Sequence, residues 1–204
     1  MNTKTHWEHI YETKAPTRVS WYQEHAQFSM EYIQKTGIRK TDHIIDVGGG
    51  ASTLVDDLIA AGFQHINVLD VSGMALQLAR QRLGARAVDV NWIEADITQA
   101  DLPGQAFDVW HDRAVFHFLT QAADRQRYIA TLRHAVRKGG HVILATFAPD
   151  GPDRCSGLEV IRYDPESLHS EFGNGFDLVD STNEIHHTPF GTEQKFIYCY
   201  CRRH

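Results

Sequence analysis

Three cysteines in 204 residues are too few to hold a disulfide framework, since any pairing leaves one over. Cys199 and Cys201 stand two apart and alternate to the same side of a strand, so all three, with Cys155, read as reduced thiols. Long apolar runs are missing: nothing approaches the roughly 18 residues of a membrane span. The opening Met1-Asn2-Thr3-Lys4-Thr5-His6-Trp7-Glu8 has no apolar stretch of a secretory kind, and a cytoplasmic protein with no membrane association is expected. Positive charge is in deficit, 20 Lys and Arg against 26 Asp and Glu, which argues against general nucleic-acid binding. Internal repeats, low-complexity tracts and interdomain linkers are absent as well. Histidine is abundant, at 13, and invites a metal. The spacing refuses it, because Cys199-Tyr200-Cys201, Glu184-Ile185-His186-His187 and the pair His134 and His141 match no paired-ligand pattern, so no metal is expected.

What is present is a repeated switch between short apolar runs and helical periodicity, as a doubly wound α/β sheet requires. His43-Ile44-Ile45-Asp46-Val47 reads as a first strand; after the glycines, Ala51, Leu54, Val55, Leu58 and Ile59 form a helical stripe closed by Gly62. Ile66 to Asp70 makes a second strand, Met74 to Leu83 a helix, Val90 to Glu94 a third strand and Phe107 to Trp110 a fourth. Tyr128, Leu132, Ala135 and Val136 mark a helix ending in Arg137-Lys138-Gly139-Gly140, and His141 to Phe147 is the fifth strand. A loop rich in Pro and Gly follows from Ala148 to Gly157, then a short helix from Asp164 to Phe172. Phe176 to Ile185 and Glu193 to Arg202 flank the turn Thr188-Pro189-Phe190-Gly191 and add an antiparallel pair. The length suits one domain over 1–204, with residues 1–40 as a helical cover and 41–204 as the core.

The turn Gly48-Gly49-Gly50 lets backbone approach a ligand at the carboxyl end of strand one, beside a helix N-terminus. Taken alone it suits a dinucleotide as well as an adenosyl cofactor. Three acids separate the two. Asp46, two residues before Gly48, would repel a pyrophosphate but suits the ammonium of a methionine moiety. Asp70, at the end of strand two, suits ribose hydroxyls, a feature shared with nicotinamide sites. Asp96, in Glu94-Ala95-Asp96-Ile97, sets an acceptor and an apolar side chain where adenine would lie, and breaks the tie.

The ordered set Asp46-Val47-Gly48-Gly49-Gly50, Leu69-Asp70-Val71-Ser72, Ala95-Asp96-Ile97, Phe107-Asp108-Val109 and Arg137-Lys138-Gly139-Gly140 resembles the class I, seven-stranded S-adenosylmethionine-dependent methyltransferases. The resemblance implies a Rossmann-like sheet of order 3-2-1-4-5-7-6 with strand seven antiparallel and helices on both faces. It also implies S-adenosylmethionine as cofactor and S-adenosylhomocysteine as product. By it, Asp46 and Gly48 to Gly50 approach the methionine part, Asp70 and Val71 the ribose, and Asp96 and Ile97 the adenine, while Asp112 lies near the methionyl backbone and the substrate mouth. Ser52 stands where many members carry a third glycine.

Trp7 and Tyr11, with Val19-Ser20-Trp21-Tyr22, are similar to openings of thiol methyltransferase-like and small protein-lysine methyltransferase-like members. Physically these rings are either core packing of an N-terminal helix or a lid over a sulfonium, with Trp21 and Tyr22 walling the acceptor pocket. Candidate catalytic groups cluster in His111-Asp112-Arg113-Ala114-Val115-Phe116-His117: Asp112 first, Arg113 as an anion anchor, and His117 as a base or, more simply, a core histidine. Cys155 and Arg154, in the loop after strand five, are candidate acceptor contacts. The expected reaction is methyl transfer to a small-molecule S, O or N acceptor. Protein-lysine methylation and an inactive cofactor-binding scaffold are the alternatives, and a nicotinamide oxidoreductase is disfavoured by Asp46 and Asp96.

Overall fold

The computed structural model describes residues 3–204; Met1 and Asn2, at the head of the expected cover, lie outside the described residues. Helix α1 (Thr3–Thr13), a 3-10 turn at Pro16–Arg18 and helix α2 (Gln27–Lys35) make up that cover. Strand β1 (His43–Val47) leads through the glycine turn into α3 (Leu54–Ala60), followed by β2 (His65–Asp70) and α4 (Gly73–Leu83). The Ser72 side chain caps α4 by accepting from the Ala75 N–H, as its residue type favours. Strand β3 (Val90–Glu94) and strand β4 (Phe107–Arg113) come next, the latter three residues longer than its apolar run predicts. Helix α5 (Ala122–Ala135) and strand β5 (Val136–Phe147) correct a boundary, since Arg137 to Gly140 does not end the helix but opens the strand irregularly. Pairing shifts register there, between Phe107–Val136 and Val109–His141, and Arg137 is drawn onto Asp108.

The loop after β5 folds partly into a small hairpin, β6 (Arg154–Cys155) and β7 (Leu158–Glu159), whose turn residues Ser156 and Gly157 have φ of 50° and 79°. Helix α6 (Pro165–Phe172) starts on a capping box from Asp164, and β8 (Phe176–His187) and β9 (Glu193–Arg203) form the terminal antiparallel pair. The large sheet runs β3-β2-β1-β4-β5-β9-β8, with β9 antiparallel to β5. This is the order expected from the sequence, with the sixth and seventh strands of that scheme now β8 and β9.

Two cores cover the two faces of the sheet. On one, Ile45, Val47 and Trp110 pack with Tyr128, Leu132 and Leu168 of α5 and α6. On the other, Ile44 and Val109 pack with Ile33, Leu54, Leu58 and Leu76 of α2, α3 and α4. Burial contributes roughly 1.5–3 kcal/mol for each such side chain, so every inward position of a central strand is strongly committed to its face. Side chains alternate along a strand, so Asp46 shares the face of Ile44, and His111 and Arg113 share that of Val109. Asp112 falls with Trp110 on the opposite one.

Candidate active site

The turn after β1 is built by backbone conformations that side chains rarely adopt. Gly48 has φ 69° and Gly50 φ 38°. A Cβ on Gly48 would collide with the Val115 side chain, and one on Gly50 would meet Asp70 Oδ2 at 2.6 Å. The Gly48 and Gly49 N–H groups donate to the Leu69 carbonyl at 2.7 and 3.2 Å, tying the turn to the end of β2. Ser52, at the third glycine position, accepts from the Leu54 N–H at 3.1 Å and so steadies the start of α3.

Two chambers open on this turn. The first is lined by Asp70, Val71, Asp96 and Ile97 together with Trp7, Val115, Phe118 and Cys155. The second is lined by Tyr22, Gln23, Ser29, Asp46, Gly49 and His111. Tyr11, Trp21, Gly48 and Arg113 line both chambers, so these four form the junction between them.

The acids differ in how they are held. Asp46 Oδ1 bonds His111 Nδ1 at 2.7 Å across the β1–β4 pairing, and His111 Nε2 bonds Ser29 Oγ at 2.8 Å, which in turn meets the Tyr198 hydroxyl at 3.1 Å. Asp70 Oδ1 accepts from the Ser72 N–H at 2.8 Å. Burial pushes the Asp70 carboxyl up to about 7, and the negative charges of Asp46 and Glu8 add to the rise. Asp96 is turned partly on its own loop, with Oδ1 accepting from the Thr98 N–H at 2.9 Å and from its hydroxyl at 2.8 Å. Arg113 forms a buried pair with Glu184 at 3.1 Å, and Gln23 donates to the same carboxylate at 2.7 Å.

The N-terminal cover lies directly over the first chamber. Trp7 meets Phe118 edge-on at 5.1 Å and Trp21 at 5.7 Å, so the aromatic residues read from the sequence do stand around the cavity. Glu8, which nothing in the sequence singled out, fastens this cover. Its carboxylate accepts from the Gly73 N–H at 2.9 Å and the Met74 N–H at 3.2 Å, at the positive end of α4. Glu8→Gln is therefore expected to lower stability by about 1 kcal/mol and Tm by a few degrees. Hydrogen exchange of the α1 amides should accelerate with it; unchanged exchange in α1 would refute the fastening role.

Four residues singled out in the sequence lie away from the two chambers, and for His117 this is the simpler, core reading. Asp112 is 0 % exposed and lines neither chamber, because alternation turns it toward α5. There Oδ1 accepts from the Val115 N–H at 2.8 Å, and Oδ2 from the Phe116 N–H at 3.1 Å and the Tyr128 hydroxyl at 2.6 Å. His117 is likewise 0 % exposed, wedged between Phe118 and Phe147, and accepts from the Phe147 N–H at 3.4 Å. Burial, with the Arg113 charge, pushes its imidazole down to about 3, so it is a core histidine and no base. Gly50 reaches neither chamber and serves instead to make room for Asp70. Arg154 points outward, bonded to the Gly157 carbonyl and to Glu159, whereas its neighbour Cys155 does line the first chamber, its thiol pushed up to about 12 by burial.

The strand order, with β9 antiparallel and helices on both faces, defines a Rossmann-like fold. Residues 44–140 match the family model described as a methyltransferase domain. Among solved structures, a SAM-dependent methyltransferase from Anabaena variabilis is similar over 100 % of this chain and 96 % of its own, at TM-score 0.78 and 15 % identity. The N-methyltransferase NodS from Bradyrhizobium japonicum, in complex with S-adenosylhomocysteine, is similar over 100 % and 99 %, at TM-score 0.76 and 16 % identity. The mouse eEF1A lysine and N-terminal methyltransferase is 25 % identical over 149 residues, 70 % of this chain and 21 % of that protein. The chain spans about a fifth of the length of the first curated relatives it matches. Over residues 44–140 the chain matches a methyltransferase-domain model, in line with the resemblance drawn from its motifs, and the solved structures share its fold.

Proposed function

We propose that the protein, as one domain with residues 1–40 as its cover, transfers the methyl group of S-adenosylmethionine to a small-molecule nucleophile. The observation that carries this reading is the pair of chambers meeting at Tyr11, Trp21, Gly48 and Arg113 beneath α1. A ligand with an adenosyl end and an amino-acid end fits that shape: Asp70, Val71, Asp96 and Ile97 would hold the first, Asp46, Gly49 and Ser52 the second. The close approach at Gly48, where a Cβ would collide with Val115, supports the same fit. When bound, the cofactor supplies a methyl group on a positively charged sulfur; that carbon–sulfur bond breaks, its electron pair leaving with the sulfur, as the acceptor's bond to carbon forms.

The protein's own part is positioning and exclusion of water. Alignment of an acceptor with an already activated centre can supply much of the rate. Trp7, Trp21 and Phe118 shield the junction, and Tyr11 keeps its proton because burial raises its pKa further.

Protein-lysine methylation is the second reading, favoured by the names of the relatives. Thermal shift with S-adenosylmethionine, S-adenosylhomocysteine and NAD, followed by labelled methyl transfer into small-molecule and protein pools, separates these readings. Stabilisation by the adenosyl-sulfur ligands but not NAD is expected, with label in the small-molecule pool. Label confined to protein favours the second reading, and no shift with either ligand overturns both.

A further inference from the structure

Resting on that reading, the geometry points to an anionic acceptor, a thiolate or an equivalently ionised aromatic group, held at the junction by Arg113. Arg113 is the only charged side chain lining both chambers among the described residues. Its partner Glu184 lines neither, but opens instead on a separate groove with Asn183 and Lys195. The buried ion pair therefore turns its positive end toward the cavity and its negative end away. Phe196 fixes that orientation from behind, its ring 4.0 Å from the guanidinium carbon.

A cationic sulfur bound across the junction would face this guanidinium. Two positive charges flanking one apolar space make a place for an anion and a poor one for a protonated amine. The walls suit a flat apolar body, since Trp7, Trp21 and Phe118 stand edge to face around it. Three acid or base groups near Arg113 are not free to take a proton: Asp112 and His117 are bonded away from the chambers, and the Glu184 carboxylate is held by Arg113 and Gln23. The acceptor thus arrives already ionised, its proton left in solvent.

The other titratable groups near the junction include His117 and His186, both pushed down by burial and the Arg113 charge, and Asp96, which lines the first chamber. Tyr11 on α1 and Cys155 on β6 are both held neutral by burial. Tyr198, on β9 beside Arg113, is raised as well. Asp46 is paired with His111 at the far wall, and Asp70 changes charge near 7. A difference between variants at position 113 is therefore separable from the titration common to them all.

The test uses a coloured acceptor, 4-nitrophenol, which ionises near neutrality and whose phenolate absorbs where the phenol does not. It is titrated in the full chain saturated with S-adenosylhomocysteine, so the readout is ionisation of the bound dye and not turnover. The apparent pKa of the bound dye is expected to fall by about one unit relative to water, the change that tenfold preferential binding of the anion produces. Arg113→Lys should retain most of that fall. The double variant Arg113→Met with Glu184→Gln removes both buried charges together, so neither is left unpaired, and should abolish it. Benzylamine should not compete for the site, and benzoate should. An unshifted or raised dye pKa in the native protein, or tighter binding of benzylamine than of benzoate, overturns the proposal. Failure of S-adenosylhomocysteine to bind at all would instead strike at the methyltransferase reading beneath it.

Discussion

Replacing Asp70 by alanine is expected to weaken S-adenosylhomocysteine binding by about two orders of magnitude at pH 8, measured by calorimetry. The carboxylate lines the first chamber, where the proposed function puts the ribose, with one oxygen steadied by the Ser72 N–H and the other close to Gly50. Two ribose hydroxyls donating to an ionised acid form charge-assisted hydrogen bonds, each of roughly 1.5–3 kcal/mol, so loss of both costs about 3 kcal/mol or more. The same residue sets a pH dependence. Its pKa in the ligand-free protein is pushed up to about 7, whereas donors from a ribose favour the ionised form. Affinity should therefore fall as pH drops below 7, by up to tenfold per unit. Asp70→Asn should bind weakly at every pH, with the slope gone. Undiminished affinity in either variant would remove Asp70 from the site.

Asp112→Ala is expected to lose about 4 kcal/mol of stability, and roughly 10 °C of Tm, while the molecules that remain folded bind S-adenosylhomocysteine within threefold of the native affinity. Alanine leaves two buried N–H groups, of Val115 and Phe116, and the Tyr128 hydroxyl without their acceptor. Each orphaned group costs about 1–3 kcal/mol. Asp112→Asn keeps one carbonyl oxygen and should lose about half as much. Here too the sign of the pH dependence follows from burial. The folded-state carboxyl is pushed up to about 6, above its unfolded value, so the folded state holds the proton more tightly. Its contribution to stability is full below the unfolded pKa and declines as pH rises through 6. Asp112→Asn has no such proton to lose, so denaturant titrations should show the native protein's advantage over it shrinking across that interval. A variant at 112 that melts like the native protein yet loses turnover would return Asp112 to the catalytic role that the motif suggested.

The difference between Asp112 as read and as found lies in the length of one strand. The apolar run Phe107 to Trp110 gives no sign that pairing continues, yet β4 is held as far as Asp112 by Val47 on one side and as far as Arg113 by Ala145 on the other. Once the strand extends, alternation sends His111 and Arg113 to the site and Asp112 to the opposite core. His111 was thus within reach of a periodicity argument, given the strand's true end. Glu184 and Ser29 were not, since each is brought in by an element far away in the chain. Arg137 to Gly140 failed for a related reason, because basic residues and glycines that would suit a helix C-terminus also suit an irregular strand start once Asp108 is near enough to hold Arg137.

Sequence by itself determined the alternation of strands and helices, the antiparallel terminal pair, and the acids at the ends of the first three strands. These are local: periodicity, turn chemistry and a carboxylate next to glycines act over a few residues and need no knowledge of what lies opposite. Tertiary structure alone decided which face each strand-end residue serves, that α1 is fastened by Glu8 to the start of α4, and that Arg113 rather than Asp112 is the charged group at the junction. Those outcomes depend on register and burial between distant segments, where a shift of one residue exchanges the faces of every side chain on the strand.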